Sequence, residues 1–241
     1  MNETSTSRTE TPGGLPALQK VLVWDAPVRV FHWLMVLSFT GAYITAESER
    51  WRLVHVTLGY TMAGLVVFRL VWGLVGTRHA RFKNFVRAPS AVRSYLRSML
   101  QGRSEHHTGH NPAGALAIVA LLALSLAVAV TGWATFNDLA GEWVSELHES
   151  AANLMLALVG VHVAGVVLGS WLHHENLVRA MFSGRKLGHP QDALRSAWRS
   201  VAALMIVAVS GFWWFEWQAA PPASPVAITT PHAPADAHPS R

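Results

Sequence analysis

Four histidines lie in or at the ends of long apolar stretches of the sequence: His32, His55, His148 and His162. Imidazole is a common metal ligand and changes its charge near neutral pH, so such residues are candidates for cofactor binding or for proton transfer. His148 and His162 are fourteen residues apart. In an α-helix this spacing is nearly four turns, so both side chains would share roughly one face and lie about 21 Å apart along the axis.

The elements that must position these histidines are five predominantly apolar segments, at residues 28–46, 53–75, 112–135, 149–172 and 199–217. A helix of roughly 20 apolar residues crosses about 30 Å of hydrocarbon, which is the thickness of a bilayer core. The composition agrees, because 51% of the residues are hydrophobic and only 14% are charged. Soluble domains carry about 25% charged residues. The sequence therefore predicts an all-α integral membrane protein.

Lysine and arginine collect in alternate connections between these segments. The second connection (76–111) and the fourth (173–198) hold many basic residues, whereas the third (136–148) holds Asp138, Glu142 and Glu146 and no Lys or Arg. The positive-inside rule then predicts a cytoplasmic N-terminus and a periplasmic C-terminus. The net charge of +5 follows the connections and indicates no nucleic-acid partner. In the second connection, an apolar stripe predicts a helix on the membrane surface: Val92, Tyr95, Leu96, Met99 and Leu100.

This orientation sorts the histidines by depth and predicts two pairs. His55 and His148 would lie near the outer face, and His32 and His162 towards the cytoplasm, the second match being looser because His162 is nearer the membrane centre. Two imidazoles across a bundle suit the axial positions of a haem, although four at two depths could also form a proton path. A zinc site fits less well, and the absence of cysteine excludes covalent haem attachment through C-x-x-C-H.

Longer motifs around these histidines resemble a known family. The stretches are VWDAPVRVFHWLM, RLVHVTLGY leading into FRLVWGLVGTRHARF, GHNPAGALAIVALL, and LHESAANLMLALVGVHVAGVVLGSWLHHENLVRAMFSGRK, which together cover about residues 21–187. They are similar to the bacterial cytochrome b561 family, and within it to the b-type cytochrome subunits of nickel–iron hydrogenases. The C-terminal segment 199–217 departs from the family pattern.

The resemblance implies a four-helix transmembrane bundle that holds two non-covalent b-type haems. The segment 199–217 is expected to add a fifth, C-terminal transmembrane helix to this bundle. Its ligand pairs would be His32 with His162 and His55 with His148. Arg29 and Arg69 are candidates to bind haem propionates, the alternative for Arg29 being an interfacial anchor.

Several other residues are lesser candidates for the same site. Trp33 could pack on a porphyrin or belong to an interfacial belt. His173 and His174 could lie near a quinone, whereas His106, His107 and His110 are expected to be solvated in a polar loop.

The expected organisation is a disordered cytoplasmic tail (1–20), the dihaem domain (21–190), the extra transmembrane helix (191–218) and a disordered Pro/Ala-rich tail (219–241). The polar leader does not have the pattern of a cleaved signal peptide. The expected location is the bacterial inner membrane.

The expected function is electron transfer between the quinone pool and a periplasmic redox partner, such as a hydrogenase or a c-type cytochrome. An alternative within the family is direct oxidation of superoxide, which would make the protein an enzyme. The acidic third connection favours a protein partner with a basic surface instead. A histidine-based proton or ion transporter and a structural membrane anchor remain competing classes. No hydrolytic or group-transfer site is predicted.

Overall fold

A computed structural model describes residues 18–86, 88–101, 109–172 and 174–220. Five long helices dominate it: α1 (Ala26–Thr45), α2 (Arg52–Val75), α5 (Pro112–Phe136), α6 (Glu142–Leu172) and α8 (Arg199–Ala219). The shorter helices are α3 (Phe82–Phe85), α4 (Pro89–Leu100) and α7 (Leu177–Ser183). Two strands, β1 (Gln19–Leu22) and β2 (Arg185–Gly188), and two 3₁₀ turns, Glu49–Trp51 and Pro190–Asp192, complete the described elements. The two predicted tails lie almost wholly outside the described residues.

Four segments of the described chain are long and apolar enough to cross a membrane: Glu49–Val75, Pro112–Phe136, Glu142–Leu172 and Arg199–Ala219. They correspond to four of the five predicted spans. The remaining one, 28–46, does form a helix of 20 residues, α1, but is not among the four. Arg29 and His32 in its first half lower its hydropathy. The protein is thus a multi-pass membrane protein with four candidate spans.

Helix starts follow local hydrogen bonding. Asp25 caps α1, because its carboxylate accepts a hydrogen bond from the Val28 amide at 2.8 Å. Asn111 caps α5 in the same way through the Gly114 amide, with Pro112 in the first turn, as the Asn-Pro pair predicts. Helix α6 begins at Glu142, seven residues before the predicted apolar span, so His148 lies well inside it.

The long helices form a bundle of two antiparallel hairpins. Helix α1 packs closely on α2, α2 on α5, and α5 on α6, while α8 packs on the outside of α1. The four bundle helices share one apolar core: Phe39, Met62, Val128, Ala151 and Met155. In the described residues, α6 makes no more than isolated close approaches to the backbones of α1 and α2. The contact between α6 and the first hairpin is therefore made mainly by side chains, whereas α5 packs directly on α2.

One end of the bundle is tied together by a structure that we call the clasp, formed by β1, β2 and the connections around residues 76–86 and 184–195. The strands pair antiparallel, with Gln19 opposite Gly188. Arg78 forms an ion pair with Asp192 at 3.4 Å. The N-terminal segment and the second and fourth connections thus lie at the same end, as the alternating charge pattern requires. That this end is cytoplasmic remains a prediction.

Helix α4 forms where the apolar stripe predicts a helix. Val92 and Tyr95 are buried against the protein, and Leu96 is 42% exposed. The side chains of Met99 and Leu100 lie outside the described residues. The helix packs on its neighbour α5, and its place on the membrane surface stays a prediction.

Candidate cofactor site

Helices α2 and α6 run in the same direction, towards the clasp, and carry chemically related residues at the same spacing. On α2 a seven-residue step separates His55, Met62 and Arg69. On α6 the same step separates His148, Met155 and His162. Seven residues are close to two turns, so each series follows one helix face at steps of about 10.5 Å. The bundle interior therefore has an outer level away from the clasp, a methionine level, and an inner level next to the clasp.

At the outer level the rings of His55 and His148 face each other, with centroids 6.1 Å apart and planes at 83°. His55 Nδ1 lies 2.8 Å from the carbonyl oxygen of Ala42, and His148 Nδ1 lies 3.0 Å from that of Val128. A carbonyl oxygen only accepts, so each Nδ1 carries the proton and each Nε2 keeps its lone pair. Metal-binding histidines are typically oriented in this way.

The distance between these rings suits one metal ion bound by both. Metal–nitrogen bonds of about 2 Å on either side, plus the ring radii, separate two imidazole centroids by about 6 Å. A cavity of about 450 Å³ borders both rings, which is within the usual range for a bound ligand. Its lining is mostly apolar and includes Phe39, Tyr60 and Trp133. A Cβ atom on Gly132 would lie only 2.8 Å from His148 Cε1, so this glycine leaves room for the ring.

At the inner level, His32 and His162 lie close enough to interact electrostatically. His32 Nδ1 is buried and has no hydrogen-bond partner among the described residues. The Trp33 ring meets the His32 ring edge-on at 5.0 Å. His162 is half-buried on the α6 face shared with His148. Two imidazoles and an unsatisfied buried nitrogen are a donor set that fits a metal ion such as haem iron.

The structure places Arg29 and Trp33 against α7. The Arg29 guanidinium donates to the carbonyl oxygen of Phe182, and its Nε to that of Asp25 at 3.4 Å. Trp33 stacks on the Phe182 ring, with centroids 4.2 Å apart. Both residues thus hold α7 against α1: Arg29 lies about one turn before His32, and Trp33 directly follows it.

Arg69 lies at the inner level and is only 3% exposed. Its guanidinium lies 4.8 Å from the ring centre of Phe82 and 5.9 Å from that of Phe85. Its Nη1 atom is buried without a hydrogen-bond partner in the described chain. An arginine this deeply buried with a free donor is suited to bind an anion.

His110 contradicts the expectation of a solvated loop residue. Its ring packs between those of Trp24 and Phe85, with ring centroids 4.4 and 4.5 Å away. Its Nδ1 atom is buried without a hydrogen-bond partner among the described residues. The pKa of His110 is lowered to about 3, first by burial and then by the nearby Arg69, His79 and Lys186. The ring is therefore neutral at pH 7. The sequence gives no signal for this burial, because the two rings that enclose His110 come from other parts of the chain.

Of the remaining loop candidates, His174 alone falls within the residues that the structure describes. His106, His107 and His173 lie outside the described residues. His174 borders an open cavity of about 660 Å³ with Glu175 and Arg179, next to α7. No group of three or more His, Asp or Glu side chains in the described chain could hold a metal ion.

Comparison with known proteins identifies the family. The family described as prokaryotic cytochrome b561 matches residues 23–184, which include the whole bundle and all four histidines of the two levels. The chain belongs to this family. Cytochromes b561 are b-type cytochromes, so haem b is the cofactor and electron transfer in a membrane the general role. Helix α8 lies outside the matched segment.

Individual relatives are similar over most of their length. A protein of Rhizobium leguminosarum bv. viciae is 25% identical, over 70% of this chain and 90% of the relative. One of Azotobacter vinelandii is 26% identical, over 74% of this chain and 94% of the relative. Both are named probable Ni/Fe-hydrogenase B-type cytochrome subunit. No solved structure matches the chain.

Proposed function

We propose that this cytochrome binds two b-type haems, one at each level, and transfers electrons between the quinone pool and a redox protein on the periplasmic side. His55 with His148 would hold the outer haem, and His32 with His162 the inner one. The observation that carries the proposal is the outer pair, whose rings lie 6.1 Å apart with both Nδ1 atoms bound to backbone carbonyls.

The protein's own residues have three tasks in this proposal. The histidines ligate, and the carbonyls of Ala42 and Val128 orient the outer pair. The apolar core around Met62 and Met155 excludes water between the levels, which tunes the potential of a bound haem by lowering the local dielectric. The redox chemistry is supplied by the haem iron when it is bound.

Three further residues complete the proposed haem sites. Arg69, and at the bundle edge Arg29, would bind haem propionates, because these carboxylates are the anionic groups of the cofactor. Trp33 would lie beside the inner haem. We also propose that α1 crosses the membrane, because it packs along α2, which is a candidate span, and carries an inner ligand.

A hydrogenase is the proposed periplasmic partner, since the relatives are named as hydrogenase subunits. Glu47 and Glu149 line the outer cavity, and further acidic residues follow in the third connection. This charge would repel an anion such as superoxide, and it favours a partner with a basic surface. A proton relay is disfavoured at the outer level, because both Nδ1 protons are already held by carbonyls.

The test is a dithionite-reduced minus oxidised absorbance spectrum of the purified protein, with haem measured per chain. Two b-type haems, both reducible by a quinol analogue, are the expected result. A colourless protein, expressed with ample haem, would refute the proposal and direct the work to proton-flux assays. Electron transfer to a purified hydrogenase, compared with a c-type cytochrome, would then identify the partner.

A further inference from the structure

A buried cationic pocket lies where the inner level meets the clasp. Arg69 enters it from α2, and His110 enters it from the residues just before α5. Aromatic rings enclose both groups: Phe82 and Phe85 lie against Arg69, and Trp24 and Phe85 against His110. The pocket is therefore shielded from water on several sides, and a charge within it is expensive unless it is paired.

Two donors in this pocket lack an acceptor among the described residues: Arg69 Nη1 and His110 Nδ1. Each buried polar atom left without a partner costs about 1–3 kcal/mol. His110 is uncharged at pH 7, so it can offer the Nδ1 proton while its other nitrogen is bare. The two groups are near neighbours, because the ring centre of Phe85 lies 5.9 Å from the Arg69 guanidinium carbon and 4.5 Å from the His110 ring centre.

The acidic groups nearby are already engaged. Asp25 interacts with Arg69 electrostatically, but its carboxylate accepts hydrogen bonds from the Val28 amide, Trp72 Nε1 and Thr77 Oγ1, at 2.8, 3.0 and 2.6 Å. Glu175 forms an ion pair with Lys186 at 3.4 Å. Among the residues that the structure describes, Arg69 and His110 therefore have no free acidic partner, and a small anion with oxygen acceptors, such as a carboxylate or a phosphate, would satisfy both donors.

The register of the helices identifies the source of this anion. Arg69 follows His55 and Met62 on α2 at the same step by which His162 follows His148 and Met155 on α6. It thus lies at the level of His162. We infer that Arg69 and His110 together bind one propionate of the inner haem. This inference rests on the proposed function, and it assigns to His110 a role in positioning the cofactor.

The test measures the midpoint potentials of both haems by optical redox titration of the purified protein in Arg69→Gln and His110→Phe. The first change removes a positive charge that offsets the negative charge of the propionate, and the second removes a hydrogen-bond donor to it, so the inner-haem potential should shift downwards and the outer-haem potential should not move. Arg69→Lys keeps the positive charge, so its inner-haem potential should stay close to that of the natural protein. Arg78→Gln removes an exposed arginine of the same connection and should leave both potentials unchanged.

Reconstitution with haem dimethyl ester separates a propionate from any other anion. The esterified cofactor has no carboxylate, so it should largely abolish the difference in inner-haem potential between the natural protein and His110→Phe. A His110→Phe shift that persists undiminished would mean that the pocket holds free or lipid phosphate and would overturn the inference. Unchanged potentials in haem-loaded Arg69→Gln and His110→Phe would overturn it too, as would loss of both haems from Arg69→Gln and Arg69→Lys alike. A natural protein without haem would instead refute the proposed function.

Discussion

Gly132 gives the sharpest test of the outer site, because it controls the position of a proposed ligand without being one. A Cβ atom added there would lie 2.8 Å from His148 Cε1 and 3.1 Å from Nδ1. Carbon atoms in favourable contact are about 3.5–4.0 Å apart, so Gly132→Ala leaves the ring about 0.7 Å or more too close. The new atom is fixed to the α5 backbone, and therefore the ring must move.

The free-energy cost of moving the His148 ring depends on the hydrogen bond that holds it. Overpacking of this kind costs about 1–3 kcal/mol, whereas the hydrogen bond from Nδ1 to the Val128 carbonyl contributes about 1 kcal/mol. Rotation that breaks the bond is thus the cheapest response, and it turns Nε2 away from the cavity. We expect the affinity for the outer haem to fall by about 5- to 150-fold, with the inner haem retained.

Haem content per chain and the reduced-minus-oxidised spectrum measure this effect. Gly64→Ala is the matched control, because it gains the same helix propensity of about 1 kcal/mol and meets no atom within 4 Å. It should keep both haems. Full haem occupancy with an unchanged outer-haem potential in Gly132→Ala would show that the position of His148 does not govern cofactor binding.

Three further outcomes are expected. Alanine in place of either outer histidine should remove only the outer haem, and in place of either inner histidine only the inner haem, as measured by haem content and spectrum; loss of the opposite haem would refute the pairing. Asp25→Ala should lower the melting temperature measured by circular dichroism, because it removes the α1 cap and leaves the Trp72 and Thr77 donors unsatisfied. The expected loss in the free energy of unfolding is about 3 kcal/mol. An unchanged melting temperature would show that water replaces the carboxylate. Trp213→Phe should weaken the packing of α8 by only about 1 kcal/mol, because it removes the hydrogen bond from Nε1 to Thr61 Oγ1 at 2.9 Å. The haem spectrum should not change. A spectral shift would mean that α8 supports the site.

The features that follow from helix geometry and hydropathy could be predicted from the sequence. The spacing of His148 and His162 fixes a common face and two depths, and the structure brings His55 and His148 ring to ring. Hydropathy likewise gives the ends of α2, α5 and α8 to within a few residues.

Other features depend on contacts that a sequence pattern does not encode. The pairing of β1 with β2 joins segments more than 160 residues apart through strands of four residues each, which are too short for a periodic signal. The burial of His110 depends on Trp24 and Phe85 arriving from two other parts of the chain. Its own polar neighbours in the sequence indicate the opposite.

The placement of the histidines relates the cofactors to the stability of the bundle. Helices α1 and α2 form one hairpin and α5 and α6 the other, and α6 meets the first hairpin mainly through side chains. Each proposed pair takes one histidine from α6 and the other from α1 or α2, so both metal-ligand sets would cross this contact. A ligand that binds only the folded state stabilises it by mass action. Haem binding would therefore strengthen the contact between α6 and the first hairpin at two levels, on either side of the apolar core around Met62 and Met155.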